Sequence, residues 1–144
     1  MVTYGAATLP GRLPIAEKIL SASPHPASRE VRAAVSNSLA GVKDIRAIPV
    51  LARLLVNPDV LTRRAAAIAL GNTRSNHAVP ALVKALNDPD RDVRYNVVIA
   101  FEKIERQSDS AMAPEYFVKE ETNMIAHWRK RAQQLAPKTP EQPD

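Results

Sequence analysis

The feature that most constrains this chain is internal repetition: Arg29 to Asp59 aligns without a gap onto Val60 to Asp90, at an offset of 31 residues. A third copy starts at Arg91 as RDVRYNVVIAFEKIE. Arg32, Arg63 and Arg94 coincide, as do Leu39, Leu70 and Phe101. Pro49 falls on Pro80, Leu51 on Leu82, Leu55 on Leu86, and Pro58-Asp59 on Pro89-Asp90. A short unit of this kind cannot bury its apolar face alone, so copies must stack on one another into a shared core.

Each unit reads as two helices. The first opens after Ser28, Asp59 or Asp90, all residue types that accept hydrogen bonds from the free N–H groups of a helix start. In the second copy Thr62, Ala65, Ala66, Ala69 and Leu70 recur at helical spacing and make a stripe of small residues. The second helix opens near Pro49 or Pro80, because a proline in the first turn gives up an N–H that has no partner there. Asn57-Pro58 and Asp88-Pro89 end it. The spacing predicts helices near 14–20, 29–41, 47–56, 60–72, 78–87, 91–105 and 115–135, and no sheet. The four glycines are too few for the turns of an all-β fold.

The run DPDRDVRYNVVIAFEKI, Asp88 to Ile104, resembles the bacterial HEAT repeats first noted in phycobilin lyases. VLTRRAAAIALGN, Val60 to Asn72, and HAVPALVKALNDPD, His77 to Asp90, resemble them too. The resemblance covers Leu13 to about Arg106. It implies an all-α fold: a short α-solenoid of HEAT-like antiparallel helical hairpins with an extra C-terminal helix. Such repeats serve many tasks, so the resemblance is specific for fold and poor for function.

Residues 13–106 form the repeat region in this division of the chain. LPIAEKIL, Leu13 to Leu20, reads as the second helix of an earlier unit, with Pro14 matching Pro49. Residues 1–12 read as a degenerate N-terminal cap or a truncated helix, which fits either a piece of a longer array or a worn terminal repeat. Residues 107–113 are a linker, 114–136 a C-terminal helix, and 137–144 a tail whose composition predicts disorder. Phe117, Met124 and Trp128 lie near one face of the C-terminal helix, with Arg129, Lys130 and Arg131 in its later turns. Glu120 and Glu121 read as a solvated face of that helix.

Chemistry is sparse. With no cysteine, the chain offers no disulfide, thiolate metal site or cysteine nucleophile. Its three histidines, His25, His77 and His127, lie far apart and lack metal-ligand spacing. No phosphate loop, nucleophile elbow or dinucleotide fingerprint occurs. The expectation is a non-enzyme with no cofactor and no bound metal. No apolar run is long enough to span a membrane. The first residues lack the basic start and apolar stretch of a signal peptide, and the compartment stays open.

Three groups of side chains stand out. Arg32, Arg63 and Arg94 form a row that invites an anion-binding reading, but the resemblance to HEAT repeats implies a structural role, with the guanidinium groups meeting turn carbonyls or Asp59 or Asp90. Lys18, Arg53 and Lys84 each follow the helix-opening proline by four residues, which points them away from the core onto a concave surface lined by second helices. Arg46 and His77 flank that surface. Ile68, Tyr95 and Ile99 form an apolar strip on the outer side of the first helices, expected to be covered by the C-terminal helix or by another chain.

A net charge of +5 favours acidic partners. The function that follows is a protein-interaction scaffold, monomeric or weakly self-associating, that binds an acidic surface or peptide on the concave face. Two other readings stay open. One is a nucleic-acid binder in the manner of HEAT-like alkylpurine DNA glycosylases, limited to phosphate contact because the repeat second helices carry no aromatic. The other is a chromophore lyase-like enzyme, carried by fold analogy alone.

Overall fold

The computed structural model describes residues 29–109 and 111–138. The expected helix at 14–20, the segment 1–12, Lys18 and residues 139–144 of the tail lie outside the described residues. Six helices follow in order: α1 (Arg29–Ala40), α2 (Ile48–Leu54), α3 (Val60–Asn72), α4 (Val79–Ala85), α5 (Arg91–Arg106) and α6 (Pro114–Leu135). Single turns of 3-10 helix, Ile45–Ala47 and Asn76–Ala78, lead into α2 and α4. Among the described residues there is no strand.

Local chemistry repeats with the sequence. Asp59 caps α3 by accepting from the Thr62 N–H at 3.0 Å, and Asp90 caps α5 by accepting from the Val93 N–H at 2.9 Å. Just before each cap, Asn57 and Asp88 fold back to accept from the N–H groups of Asp59 and Asp90, both at 2.9 Å. These Asx turns, closed by the proline between the two residues, make the sharp corner from a second helix to the next first helix. At the other corner, Asp44 and Ser75 accept from the N–H groups of Arg46 and His77. Pro49 and Pro80 then lie in the first turn of α2 and α4.

The first helices α1, α3 and α5 pack side by side. Ala65, Ala66, Ala67 and Ala69 are all buried and let the backbones approach. At Gly71 the approach is close: a Cβ there would sit 2.7 Å from Ala100 Cα, so glycine fits where a larger residue would force a shift. One residue on, the Asn72 side-chain amide donates to the Ala40 carbonyl at 3.0 Å, and its oxygen accepts from Lys103 Nζ at 2.9 Å. Below this layer, Leu51, Leu54, Leu82 and Leu86 of the second helices and their turns join Leu70 and Phe101 in one apolar core.

The C-terminal helix departs from the hairpin pattern. Gln107 ends α5 in a left-handed conformation, with φ 55°. The linker then turns back, so that Met112 accepts a hydrogen bond from the Tyr95 hydroxyl at 2.8 Å. Glu121 faces Arg91 and Arg94 near the start of α5, whereas Arg131 faces Glu105 near its end. So α6 runs beside α5 in the same sense, where a further hairpin would run opposite. It buries Phe117, Trp128 and Ala132 against α4 and α5. The Trp128 ring stacks on Phe101 with centroids 5.5 Å apart, and Phe117 packs on Tyr95 at the same separation.

The outer strip is expected to lie under the C-terminal helix or another chain. Of that strip, Tyr95 meets α6 through Phe117. Ile68 instead lines a shallow groove between α1 and α3 with Ser36, Leu61 and Ala65, and Ile99 is half-buried. The end of the stack makes the larger demand on α6. Leaving the aromatic surface of Phe101 in water at the end of the stack would cost more than leaving two half-shielded isoleucines.

Candidate functional site

The arginine row ties the turns together. Arg63 donates through Nη1 to the carbonyls of Asn57 and Pro58, each at 3.0 Å, and through Nε to Asp88 at 2.9 Å. Arg94 repeats the pattern one unit later: Nη1 reaches the Asp88 carbonyl at 2.7 Å and Nε reaches Glu121 at 2.5 Å. Arg32 falls on α1, and its side chain lies outside the described ones. The carbonyl acceptors are of the kind expected, but the carboxylates are Asp88 and Glu121 where Asp59 and Asp90 were expected. Those two aspartates are already committed to capping, and Asp90 also accepts from Arg64 at 3.0 and 3.1 Å. Glu121, expected to be solvated, is drawn in by Arg91 and Arg94. It gives Arg94 what Asp88 gives Arg63.

The Arg64 guanidinium beside Asp90, helped by the Val93 N–H, holds the Asp90 carboxyl below its ordinary range against the opposing effect of burial. Arg64 is pushed up by the same contact. Burial, with Glu115 and Glu102 nearby, raises the Tyr95 hydroxyl.

On the second-helix face a cleft of about 520 Å³ opens between α2 and α4. Its walls are Ala52 and Ala81, and its floor includes Leu55 and Ala85. The turns Asn57-Pro58 and Asp88-Pro89 close one end. Val56 stands at the cleft 74% exposed. Lys84 lines it and is exposed. The one carboxylate among the lining residues, Asp88, is bound by Arg63.

Of the described basic residues singled out on this face, Arg46, Arg53, His77 and Lys84, the last alone lines the cleft. Arg53 is exposed on the last turn of α2. Arg46 is exposed and bound to Asp44 at 2.6 Å, a contact that holds the Asp44 carboxyl below its ordinary range and raises Arg46. His77 is exposed on the turn leading into α4. A further cation, read in the sequence only as suited to the dipole of the C-terminal helix, is Arg129 of α6, which is exposed and donates to the Asn87 side chain at 2.7 Å, beside the cleft. Ala52, Val56 and Ala81 were missed as well. The only signal for the two alanines is the exchange of Val50 for Ala81 and of Val83 for Ala52 between copies, which removes bulk from facing positions.

Among the described residues no cluster of His, Asp or Glu could hold a metal ion, and no helix is long and apolar enough to cross a membrane. Stacked antiparallel hairpins, arginine-braced turns and an open face between second helices define a helical-repeat module. A family model of HEAT repeats matches residues 14–111. The chain belongs to the HEAT repeat family. HEAT repeats generally serve as protein-interaction scaffolds, and the family is typically non-enzymatic. A comparison with curated proteins finds no match.

Proposed function

We propose that this chain is a non-catalytic scaffold that holds an acidic or extended partner on the face lined by its second helices. The observation that carries the reading is the cleft between α2 and α4, which has an apolar floor, an exposed Lys84 and no uncommitted carboxylate among its lining residues. Arg53 extends the basic surface along α2, and Lys18 continues it by sequence register. Arg46 and His77 flank it, with the charge of Arg46 offset by Asp44. Arg32, Arg63 and Arg94 brace the turns in this reading, and Ile68 and Ile99 remain a second, outward surface for association. The division into repeats at 13–106, linker at 107–113 and terminal helix at 114–136 goes with it.

The test compares fluorescently labelled poly-glutamate with a labelled single-stranded DNA oligonucleotide, both titrated onto the intact chain and onto the Lys18→Glu/Arg53→Glu/Lys84→Glu variant. The expected result is binding of poly-glutamate that the variant loses by about tenfold or more, since three like charges then face the probe. Unchanged binding in the variant would move the partner to another face. DNA bound in preference, with a steep salt dependence, would replace the protein partner with a phosphate backbone.

A further inference from the structure

The cleft has a shape that charge alone does not require. A purely electrostatic surface needs exposed cations and nothing below them. Here two short side chains, Ala52 and Ala81, stand where facing helices could have closed on each other, and the space between them reaches the buried Leu55 and Ala85. Its volume of about 520 Å³, open to solvent on one side, leaves room to seat a side chain. Val56 adds an aliphatic group at the cleft that is three-quarters in water. Apolar surface arranged this way, with polar groups around it, is what a buried anchor residue requires.

The charges around the cleft select the anchor's neighbours. Asp88 is neutralised by Arg63. Lys84 is exposed at the lining, and Arg129 stands beside Asn87 in contact with that neutral amide. A second copy paired two-fold across this cleft would bring the same cations face to face. An acidic segment meets them with opposite charge.

We infer that the cleft between α2 and α4 receives one bulky apolar side chain, of leucine or phenylalanine size, from an acidic peptide segment whose flanking carboxylates meet Lys84 and Arg129. The inference rests on the second-helix face being the partner site and adds what that partner must carry.

The probes are two synthetic peptides rich in Asp and Glu, identical except for a central Leu in one and Ala in the other. A third keeps the Leu and replaces every acid by Ser or Asn. Each is titrated onto the isotope-labelled full chain and followed by amide chemical shifts. The expected result is that the acidic Leu peptide binds about tenfold or more tighter than the acidic Ala peptide, and shifts Ala52, Val56, Ala81 and Lys84. Ala81→Leu, which fills the cleft, is expected to erase that difference. Ala52→Leu does the same from the opposite wall and serves if the first variant fails to fold.

Equal affinity of the two acidic peptides, with shifts confined to Arg53 and Lys84, overturns the anchor and leaves the face intact. Equal affinity of the acidic and neutral Leu peptides overturns the acidic requirement. No shift on the second-helix face with any peptide overturns both the anchor and the face.

Discussion

Between α3 and α5 a single added methyl would lie 2.7 Å from a backbone carbon; between α2 and α4 there is a cleft of about 520 Å³. Both places are lined by small side chains, so small residues do opposite work in the two layers. The first helices α3 and α5 run for 13 and 16 residues, and Ala and Gly along them let long surfaces close on each other. The second helices α2 and α4 have 7 residues each, too short for such an extended seam. They are held at their turns by arginine and leave their faces apart. Alanine closes a gap where a long partner helix can come to it, and leaves one where the backbone is fixed by its ends.

Four changes break or sharpen this contrast. The largest effect belongs to the shared core: Phe101→Ala removes a fully buried ring and its stack on Trp128, and chemical denaturation should report a loss of about 3–5 kcal/mol. Arg63→Ala strikes the second layer at its brace and leaves two turn carbonyls and Asp88 without their donor. It should cost about 1–3 kcal/mol, with Arg63→Lys recovering only part because one ammonium cannot span both sides of the fork. An unchanged melting temperature together with lost partner binding would turn this residue from a brace into a contact.

Gly71→Ala tests the tight seam. A helix interior normally gains about 1 kcal/mol from this exchange, but the clash with the Ala100 backbone should outweigh the gain and give a net loss. Gly41→Ala is the control, because its added Cβ would meet nothing closer than the Ser38 carbonyl at 3.5 Å. If both substitutions behave alike, the seam is looser than described.

The smallest effect is titration of Asp90. Its folded-state carboxyl is held below the ordinary value, so the charged form stabilises the fold above the unfolded-state range, near pH 4. That stabilisation is lost as pH falls through the depressed folded value. Thermal melts should decline from about pH 4 downward, and Asp90→Asn should flatten part of that decline while keeping an N-cap. A decline of the same depth in the variant would place the acid sensitivity on other carboxylates.

Most of the fold could be read from residues that act on their nearest neighbours. Asp59 and Asp90 as caps, Pro49 and Pro80 as helix starts, and Asn57-Pro58 and Asp88-Pro89 as stops depend on contacts within a few positions. The site was less legible, because its geometry depends on distant pairs. Arg129 meets Asn87 across 42 positions, and Glu121 meets Arg94 across 27. Neither partner lies on the 31-residue register, since α6 is not a copy of any earlier helix. Ala52 and Ala81 have a different difficulty: a small residue on a helix looks the same in sequence whether it faces a neighbour or a void.

Asn72 joins the carbonyl of α1 and the ammonium of α5 through one side chain. A linear stack normally opens like a zipper, from an end inward, because each unit is held by its neighbours alone. Here the middle helix is gripped from both sides at one point, so loosening either outer helix weakens the hold on the other. Amide hydrogens in the centre of α3 should therefore exchange only when the whole molecule unfolds, while those of α1 exchange through local fraying. A single amide side chain thus ties the opening of either outer helix to the middle one.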